Sequence, residues 1–298
     1  MFIGLGLPIT RSGGAGVAPF VGILDQLSTA PIGAWSVARR LRVGYESALI
    51  RVRRSSDNAE LDIGYDADNA LDTVALLAHC GAGNGFVVKI YDQSGQGRHL
   101  VQSTAGAQPK IVTSGAVETE NGLPCAVFNA SGAYMVTAAF SAITGTTIYA
   151  ASVFTHDGTA SQGRTFGGQA DNVSQNDGNS AQSFGAAKQI FGGGAYAAYR
   201  NGVEQSGGAT SMTALIVASC RWDGTDERIA YNNGALSSGT ASTGSFNVEK
   251  FMLNTEYAFG GFTGVVGARH CEHMAFSTIP SSGDQTTLKA EQVTFYGI

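Results

Sequence analysis

The sequence is poor in charged side chains, and this shortage limits the partners it can have. Charged residues make up 14% of the chain, against about 25% in an ordinary soluble domain. The net charge is −5, and lysine and arginine nowhere form a block. Because affinity for nucleic acid depends on clustered cations, we do not expect a nucleic acid as a partner.

Cysteines and long apolar runs are also scarce. The four cysteines lie far apart without a CxxC pair, which predicts neither a zinc ribbon nor a dense disulfide framework; they are Cys80, Cys125, Cys220 and Cys271. We therefore expect buried thiols in a chain that folds in a reducing cytoplasm. No stretch approaches the roughly 20 apolar residues of a membrane span. The start, MFIGLGLPITRSGG, lacks a basic residue ahead of its apolar run, so it does not indicate a secretory signal.

Glycine, by contrast, is abundant, and it predicts an all-β fold. The chain has 41 glycines, about twice the usual share. Beyond residue 105, short apolar runs recur between glycine or polar breaks, and Asn201-Gly202 and Asn233-Gly234 are turn signals behind predicted strands. This pattern predicts a β-sandwich with a few short helices over residues 28–298. Residues 1–27, in which a glycine-rich stretch separates two apolar clusters, are predicted to be an extended N-terminal arm, either a docking arm or a frayed terminus.

The first hundred residues contain the clearest local signals. An approximate apolar stripe predicts a helix from Pro31 to Tyr45. ALIRVRR and AELDIGY predict a hairpin, and GFVVKIY predicts a buried strand. A second helix is expected over Ala70–Cys80 with Asn69 as its N-cap. At the other end of the chain, residues 282–298 predict a short helix followed by a strand or tail.

The polar loop behind GFVVKIY, within KIYDQSGQGRHLVQS, is the most distinctive segment. Asp92 can accept hydrogen bonds from backbone N–H groups of the turn, while Gly95 and Gly97 allow backbone angles that other residues avoid. The loop is therefore predicted to be an architectural corner. The alternative is that Asp92, Gln93 or His99 also contacts a ligand.

Two segments carry residue types that bind metals. Asp66, Asp68 and Asp72 are spaced loosely like calcium ligands, but the glycine and the distal glutamate of the usual 12-residue loop are missing. In Arg269–His273, strand alternation places His270 and Glu272 on one face and Cys271 and His273 on the other, which disfavours zinc. We expect no metal and no other cofactor.

Trp222 and Asp223 are candidate sugar contacts, because an aromatic ring beside a polar side chain suits a sugar. The alternative for Trp222 is a place in the core, since it shares a strand face with Cys220.

Several motifs resemble a known family. AVFNASGAYMVTA and the strand CEHMAFS followed by a helix are similar to laminin-G/concanavalin A-like jelly rolls. IRVRRSSDNAELDIGYDADNALD, IYDQSGQGRHLVQ and QPKIV resemble the catalytic domain of the α-L-arabinofuranosidase B family, a jelly-roll glycosidase. The likeness is specific over residues 30–130 and implies a concanavalin A-like jelly-roll β-sandwich.

The resemblance also implies two catalytic carboxyl groups, as glycoside hydrolysis requires. The stretch TFGGQADNV, nearest to where the family has its nucleophilic glutamate, offers only Asp171. Phe262 stands where the acid/base aspartate is implied, and phenylalanine cannot donate a proton. The catalytic candidates are then Asp171 and Glu256, with Asp223, Asp226 and Glu227 as further carboxylates on other strands.

Similar jelly rolls occur in bacteriophage virion proteins, and the opening GLGLPIT with its glycine-rich arm resembles the start of such a protein. We therefore expect a tail or head protein, made in the cytoplasm of a bacterial host and located in the virion. It would form a homo-oligomer, contact other virion proteins through the arm, and bind host-surface polysaccharide without hydrolysing it. The alternatives are an active α-L-arabinofuranosidase-type glycoside hydrolase and a stand-alone carbohydrate-binding module.

Overall fold

The fold is an all-β sandwich, as the sequence predicts. The computed structural model describes residues 19–128, 132–156, 163–170, 184–188, 196–200, 203–206, 213–232, 234–237, 239–241, 244–258, 261–264 and 267–298. The strands of these segments are β1 (Gly33–Ser36), β2 (Ile50–Arg54), β3 (Glu60–Ile63), β4 (Gly85–Ile90), β5 (Leu100–Val101), β6 (Lys110–Thr113), β7 (Ala116–Val117), β8 (Thr119–Glu120), β9 (Leu123–Pro124), β10 (Ala126–Phe128), β11 (Met135–Thr137), β12 (Ile143–Gly145), β13 (Ile148–His156), β14 (Gly163–Gln169), β15 (Phe184–Lys188), β16 (Tyr196–Arg200), β17 (Val203–Ser206), β18 (Ile216–Trp222), β19 (Asp226–Tyr231), β20 (Thr240–Ala241), β21 (Phe246–Val248), β22 (Lys250–Leu253), β23 (Thr255–Ala258), β24 (Gly261–Gly264) and β25 (Ala268–Phe276). The α-helices are α1 (Thr73–Cys80) and α2 (Ser282–Tyr296).

The strands form two antiparallel layers. One layer, the front sheet, runs in the order β3, β2, β4, β5, β11, β22, β14, β15, β16, β17. The other, the back sheet, runs in the order β19, β18, β13, β25, and β25 pairs on its far side with β1 and β10. The short strand β6 pairs with both β10 and β4, so it joins the two layers at one edge.

Aromatic side chains fill the space between the layers. Trp35 on β1 contacts Phe166 and Phe251 of the front sheet with ring centroids 5.9 and 5.2 Å apart. Phe184 packs edge-on against Trp222 of the back sheet at 5.2 Å. All of these rings are fully buried. Burial of such rings is a large contribution to stability, because each removes on the order of 150–250 Å² from water.

Helix α2 covers the outer face of the back sheet. It begins at the Ser281 cap, whose side chain accepts from the Asp284 N–H, and ends at Gly297 in the left-handed region. Leu288 packs with Tyr149 and Met274, and Val293 packs with Cys271. The helix predicted after residue 281 is therefore confirmed, and it extends to Tyr296, where the sequence suggested a shorter helix and a strand or tail.

The local signals of the first hundred residues are largely confirmed. Strands β2 and β3 form the expected hairpin, and β4 is the expected buried strand. Helix α1 is present, but it begins at Thr73 and its cap is Asp72, whose carboxylate accepts from the Ala75 N–H. Asn69 instead has a φ of 63° in the turn before it, so the predicted capping by Asn69 is wrong.

The helix predicted from Pro31 to Tyr45 is wrong. Residues Gly33–Ser36 form β1, which pairs with Glu272–Ala275 of β25. The Ser36 hydroxyl then accepts from the N–H groups of Ala38 and Arg39 in a turn. A partner strand more than 200 residues away decides the conformation here, and local apolar spacing cannot reveal such a partner.

Part of the predicted N-terminal arm lies against the sandwich. Residues 1–18 lie outside the described residues. Ile23–Gln26 form a 3₁₀ turn, Ile23 is buried, and the Leu24 N–H donates to the Leu41 carbonyl. The Asp284 carboxylate of α2 accepts from the backbone and hydroxyl groups of Ser28 and Thr29.

Two of the four cysteines are joined, which corrects the expectation of four thiols. Cys125 and Cys271 form a disulfide across 146 residues of sequence, whereas Cys80 and Cys220 are free and buried. No local pattern indicates this bond, because its two cysteines come together only through the β10–β25 pairing. Among the described residues, no helix is long and apolar enough to cross a membrane.

Candidate functional site

The outer face of the front sheet can be traced from the strand register. Residues that pair directly across antiparallel strands lie on the same face, so the register defines one row along this surface. The row consists of Asp62, Arg51, Lys89, Val101, Val136, Met252 and Gly167. Asp62 at one end is exposed, whereas Met252 is fully buried. The face is therefore open over β3 to β11 and covered over β22 and β14.

The catalytic candidates follow the strands at the covered end. Asp171 lies outside the described residues, two positions after the end of β14. In the antiparallel β14–β22 pair, Gln169 lies opposite Lys250 and Phe166 lies opposite Leu253. The last residue of β14, which precedes Asp171, and the last residue of β22, which precedes Glu256, are therefore at opposite ends of the pair.

Glu256 and Phe262 belong to neighbouring strands of one hairpin. In the β23–β24 pair, Glu256 pairs with Thr263, and Tyr257 pairs with Phe262. The position that the resemblance assigns to an acid is thus occupied by phenylalanine, with the backbone of Glu256 one residue away in the register. Of the further carboxylates, Asp226 and Glu227 lie on β19, in the back sheet.

A groove crosses the open part of the outer face, between β5 and β11. Its floor is Val101 opposite Val136, and its volume is about 370 Å³. The lining residues are Val101, Gln102, Ser103, Thr104, Tyr134, Val136, Thr137 and Ala138. We call it the β5–β11 groove. Sequence reasoning missed it, although the alternation in AYMVTAAF indicates the strand that forms one wall.

The loop after β4 has the geometry of an architectural corner. Asp92 is buried, and its carboxylate accepts from the N–H groups of Ala34, Ser94 and Arg98 and from the Ser94 hydroxyl, at 2.8–3.0 Å. Gln93 is fully buried and bridges the Leu41 N–H and the Arg39 carbonyl. Both side chains hold β1 and the turn after it against β4. The positive backbone angles expected of Gly95 and Gly97 are confirmed at φ 92° and 72°.

His99 belongs to the same loop but lies on the outer face. Its Nδ1 accepts the Asp92 N–H at 3.1 Å, and its ring packs edge-on against Tyr91. Burial and the positive charge of Lys89 lower the pKa of His99 below its ordinary value, while Asp92 opposes the shift. The ring is therefore neutral at neutral pH, and because Nδ1 is an acceptor, the proton is on Nε2. His99 thus offers a donor beside the groove.

The structure places the two candidate sugar contacts in different settings. Trp222 is 1% exposed and packs against Phe184 and Phe246 inside the sandwich. Asp223 closes a turn, pairing with Arg221 at 2.9 Å and accepting from the backbone N–H and hydroxyl of Thr225. Trp222 and Asp223 therefore do not form a surface on which an aromatic ring and a polar side chain could contact one sugar together.

Two of the three calcium candidates, Asp66 and Asp72, accept hydrogen bonds from backbone groups. Asp66 accepts from the N–H groups of Asp68 and Ala70, and Asp72 caps α1. Within the described segments, no group of three or more acidic, histidine or cysteine side chains is arranged to hold a metal ion.

The segment Arg269–His273 contains a β-bulge that overrides strand alternation. Across the β13–β25 pair, Glu272 lies opposite Val153 and His270 lies opposite Phe154, so Cys271 is the extra residue. His270 and His273 therefore share the core face, with Nδ1 of His270 3.0 Å from Nε2 of His273. Cys271 and Glu272 both face α2. The predicted division of these four residues between the two faces is wrong.

The bulge creates two buried polar clusters that sequence reasoning did not find. On the core face, Nδ1 of His273 lies 2.9 Å from the Ser152 hydroxyl, and burial lowers the pKa of His273 to about 3. On the helix side, Arg39 makes a two-pronged contact with Glu272 at 2.8 and 3.2 Å. Burial by itself lowers the pKa of Arg39. The negative charge of Glu272 and the hydrogen bonds between the two side chains outweigh burial, and they raise the Arg39 pKa above the ordinary value.

The helix-side cluster anchors α2 to the back sheet. The Gln292 amide and the Tyr296 hydroxyl donate to Glu272, and Glu291 pairs with Arg39 at 3.3 Å. Burial and the Glu272 charge raise the pKa of Tyr296 well above its ordinary value. Both clusters are enclosed, so their role is structural and neither is a reaction site.

Comparison with known proteins identifies the relatives of this architecture. Residues 22–164, just under half of the chain, match the family model of the α-L-arabinofuranosidase B catalytic domain. A probable α-L-arabinofuranosidase B of Aspergillus fumigatus is 33% identical over 101 residues, which is 34% of this chain and 20% of the relative. An α-L-arabinofuranosidase of Hypocrea jecorina is 35% identical over 75 residues, which is 25% of this chain and 15% of the relative. The alignments therefore span only about a fifth or less of the relatives' own length.

Solved structures share the fold over most of the chain. A GH54 α-L-arabinofuranosidase soaked with a cyclic sulfate inhibitor superposes with a TM-score of 0.72 at 18% identity, covering 92% of this chain and 65% of that one. An arabinofuranosidase complexed with arabinofuranosyl-α-1,2-xylobiose gives 0.71 at 19% identity over the same shares. At this level of identity the likeness shows the fold alone.

These findings correct the expectation of a bacteriophage virion protein that binds glycans without hydrolysing them. The relatives found are fungal enzymes, so the virion function and the virion location are both wrong. The predicted jelly-roll sandwich is confirmed. The chain is a β-sandwich with the fold of α-L-arabinofuranosidases, and its residues 22–164 are similar in sequence to the catalytic domain of α-L-arabinofuranosidase B.

Proposed function

We propose that this chain is a glycoside hydrolase that releases α-L-arabinofuranosyl groups. The observation that carries the proposal is the match of residues 22–164 to the catalytic domain of α-L-arabinofuranosidase B. The fold supports it, since the neighbours named above superpose over 92% of the chain. Both are proteins whose names describe action on arabinofuranosides.

Hydrolysis needs one carboxyl group to protonate the leaving oxygen and a second to act as nucleophile or base. Glu256 is our first candidate for the proton donor, because it belongs to the same β23–β24 hairpin as Phe262, the position to which the resemblance assigns the acid. Asp171 is the candidate for the second carboxylate on the resemblance of TFGGQADNV alone. Because β14 and β22 lead to these residues from opposite ends of their pair, each is tested separately.

The disulfide supports a place of action outside the cytoplasm. Structural disulfides persist in oxidising compartments and are rare where thiols are kept reduced. The Cys125–Cys271 bond is fully buried between β10 and β25. We propose that the chain folds in an oxidising compartment.

The first experiment measures hydrolysis of 4-nitrophenyl glycosides, headed by the α-L-arabinofuranoside, by the full chain and by Glu256→Gln and Asp171→Asn. Loss of a general acid or nucleophile lowers kcat by on the order of 10²-fold or more. Glu60→Gln, on the edge strand β3, is the control and retains activity. Turnover that survives both test substitutions would remove Glu256 and Asp171 from the mechanism. If the full chain shows no turnover with any substrate of the panel, the hydrolase proposal fails.

A second candidate function is sugar binding without hydrolysis, and Phe262 favours it. If no acid lies at that position, the chain can still bind an arabinofuranoside that it cannot cleave. Calorimetric titration with L-arabinose and arabinan separates the two candidate functions. Saturable binding without turnover would indicate a binding module, and the absence of both binding and turnover would contradict both candidate functions.

A further inference from the structure

We propose that the β5–β11 groove binds the uncharged sugar residues that flank the arabinofuranosyl group, so that it selects polymeric over small substrates. This inference rests on the proposed function, because it assumes a glycan as the substrate. The occupant is a neutral oligosaccharide, argued from the position, the chemistry and the rigidity of the groove.

The groove lies in the same sheet as β22 and β14, the strands that precede Glu256 and Asp171 in the chain. Its floor residue Val136 pairs with Met252 on β22, which pairs with Gly167 on β14. Adjacent strands are about 4.8 Å apart, so β14 is about 10 Å from the groove floor. A chain lying across these strands would pass from the groove toward the covered end of the face, where the segments with the candidate carboxylates begin.

The lining of the groove suits a ligand with hydroxyl groups and apolar ring faces. Val101 and Val136 form an apolar floor, and the side chains of Ser103, Thr104 and Tyr134 add hydroxyl groups to the walls. None of the lining residues is charged. A carboxylate-bearing polymer would find no cation in the lining, and a purely apolar ligand would bury the Ser103 and Thr104 hydroxyl groups while offering them no hydrogen bond.

The charged residues beside the groove are already paired. Arg51 binds Asp62 through two hydrogen bonds of 2.7 and 2.8 Å, and the Lys89 ammonium lies 5.0 Å from the centre of the Tyr91 ring. Next to them, the neutral His99 holds its proton on Nε2 and adds a donor of the kind that sugar hydroxyls accept. The edge of the groove therefore carries hydrogen-bonding groups and aromatic surface, with the Arg51 charge paired to Asp62 and the Lys89 ammonium against the Tyr91 ring.

One wall of the groove is held rigid by a buried amide. Gln102 is 4% exposed; its side-chain oxygen accepts from the Thr104 N–H, and its side-chain nitrogen donates to the Tyr134 carbonyl. The Tyr134 N–H in turn donates to the Ala107 carbonyl. These bonds fix the Ser103–Thr104 loop against Tyr134 before any ligand arrives, which lowers the ordering cost of binding.

The test measures binding of xylotetraose and arabinotetraose by calorimetry to the full chain and to two groove variants. Ser103→Trp fills the groove from an exposed position, and Tyr134→Ala removes its aromatic wall. Val74→Trp, at an 80% exposed position on α1, is the matched control. We expect Kd to rise about tenfold in both groove variants, which corresponds to the loss of about 1.4 kcal/mol, and to stay unchanged in the control. Tetragalacturonate, a charged oligosaccharide of the same length, should not bind.

Kinetics separate this inference from the proposed function. In Ser103→Trp, KM for an arabinose-substituted xylotetraose should rise about tenfold more than KM for 4-nitrophenyl α-L-arabinofuranoside, while Val74→Trp should change kcat and KM for neither substrate. Groove-dependent binding in a chain that hydrolyses nothing would support the groove and reject the hydrolase. Oligosaccharide binding that is absent from the full chain, or equal in Ser103→Trp and in the full chain, overturns the groove proposal whatever the hydrolysis assay gives.

Discussion

His273 and Glu272 are adjacent residues on β25, yet they lie in two separate buried polar clusters. His273 faces Ser152 and His270 in the core, and Glu272 faces Arg39 and α2. Buried ionisable groups need partners, because an uncompensated charge in the interior is costly. At the residue scale, stability therefore depends on which of these groups is charged.

His273 should make the fold sensitive to acid. Its pKa is about 3 in the fold because of burial, and about 6.5 in the unfolded chain. Below pH 6.5, His273 becomes protonated in the unfolded chain but stays neutral in the folded chain. The free energy of unfolding therefore falls as pH falls, by up to about 1.4 kcal/mol per pH unit. Urea unfolding between pH 7.5 and 4.5 should show a steeper loss of stability in the native chain than in His273→Gln.

The same substitution at His79, which is only partly buried, is the control for this pH series. The free energy of unfolding of His79→Gln should depend on pH in the same way as that of the native chain. Parallel curves for the native chain and His273→Gln would show that His273 is not held neutral by the core.

Asp92 should be a stability residue. Its carboxylate accepts four hydrogen bonds within the corner, and an amide in its place cannot accept at its nitrogen. Asp92→Asn should therefore lower the free energy of unfolding by about 3 kcal/mol, since each buried donor left without a partner costs about 1–3 kcal/mol. The exposed Asp68→Asn should stay within about 0.5 kcal/mol of the native chain. An equally small effect of Asp92→Asn in chemical denaturation would contradict the architectural role.

At the element scale, β25 holds the back sheet together. It pairs with β13 along one side and with β1 and β10 along the other, and its bulge turns Cys271 toward Cys125. The element is thus connected to its neighbours by hydrogen bonds, ion pairs and a covalent bond. A substitution that displaced β25 would therefore disturb its pairing with three other strands.

Reduction of the disulfide should lower stability. The bond closes a chain segment of 146 residues, and constraining the unfolded chain over a loop of that size contributes about 5 kcal/mol in the chain-entropy model. Thermal unfolding with and without dithiothreitol should show a lower Tm for the reduced native chain. The double variant Cys125→Ala/Cys271→Ala should have a low Tm that the reductant does not change; a native Tm that is insensitive to complete reduction would exclude a stabilising bond.

At the scale of the whole molecule, the boundary between arm and sandwich is open to a direct test. The sequence places it after residue 27, but Ile23 is buried against the back sheet and α2. Burial of an isoleucine contributes about 1.5–3 kcal/mol. A chain lacking residues 1–27 should therefore be less stable by about that amount than a chain lacking residues 1–18. Equal stabilities in chemical denaturation would place the boundary at residue 27, as the sequence predicts.

The sequence by itself determined the features that depend on neighbouring residues. The β2–β3 hairpin, the strand β4, the glycine angles of the corner at Asp92 and the helix after Ser281 all follow from local periodicity, turn residues and caps. The motifs around Tyr91–Gln102 also indicated the fold and the enzyme family to which the first half of the chain is similar. Phe262 and the carboxylates Asp171 and Glu256 could be named from sequence, but not their relation in space.

Only the tertiary structure decided the features that join distant segments. β1 is a strand because it pairs with β25, Cys125 meets Cys271 through the β10–β25 pair, and the Arg39–Glu272 ion pair spans more than 200 residues. The β5–β11 groove and the row on the outer face exist only once the register of the front sheet is set. A local pattern indicates which face of a strand a residue prefers. The partner of each strand and the position of each bulge depend on the packing of the whole sandwich, so they cannot be predicted from a short stretch of sequence.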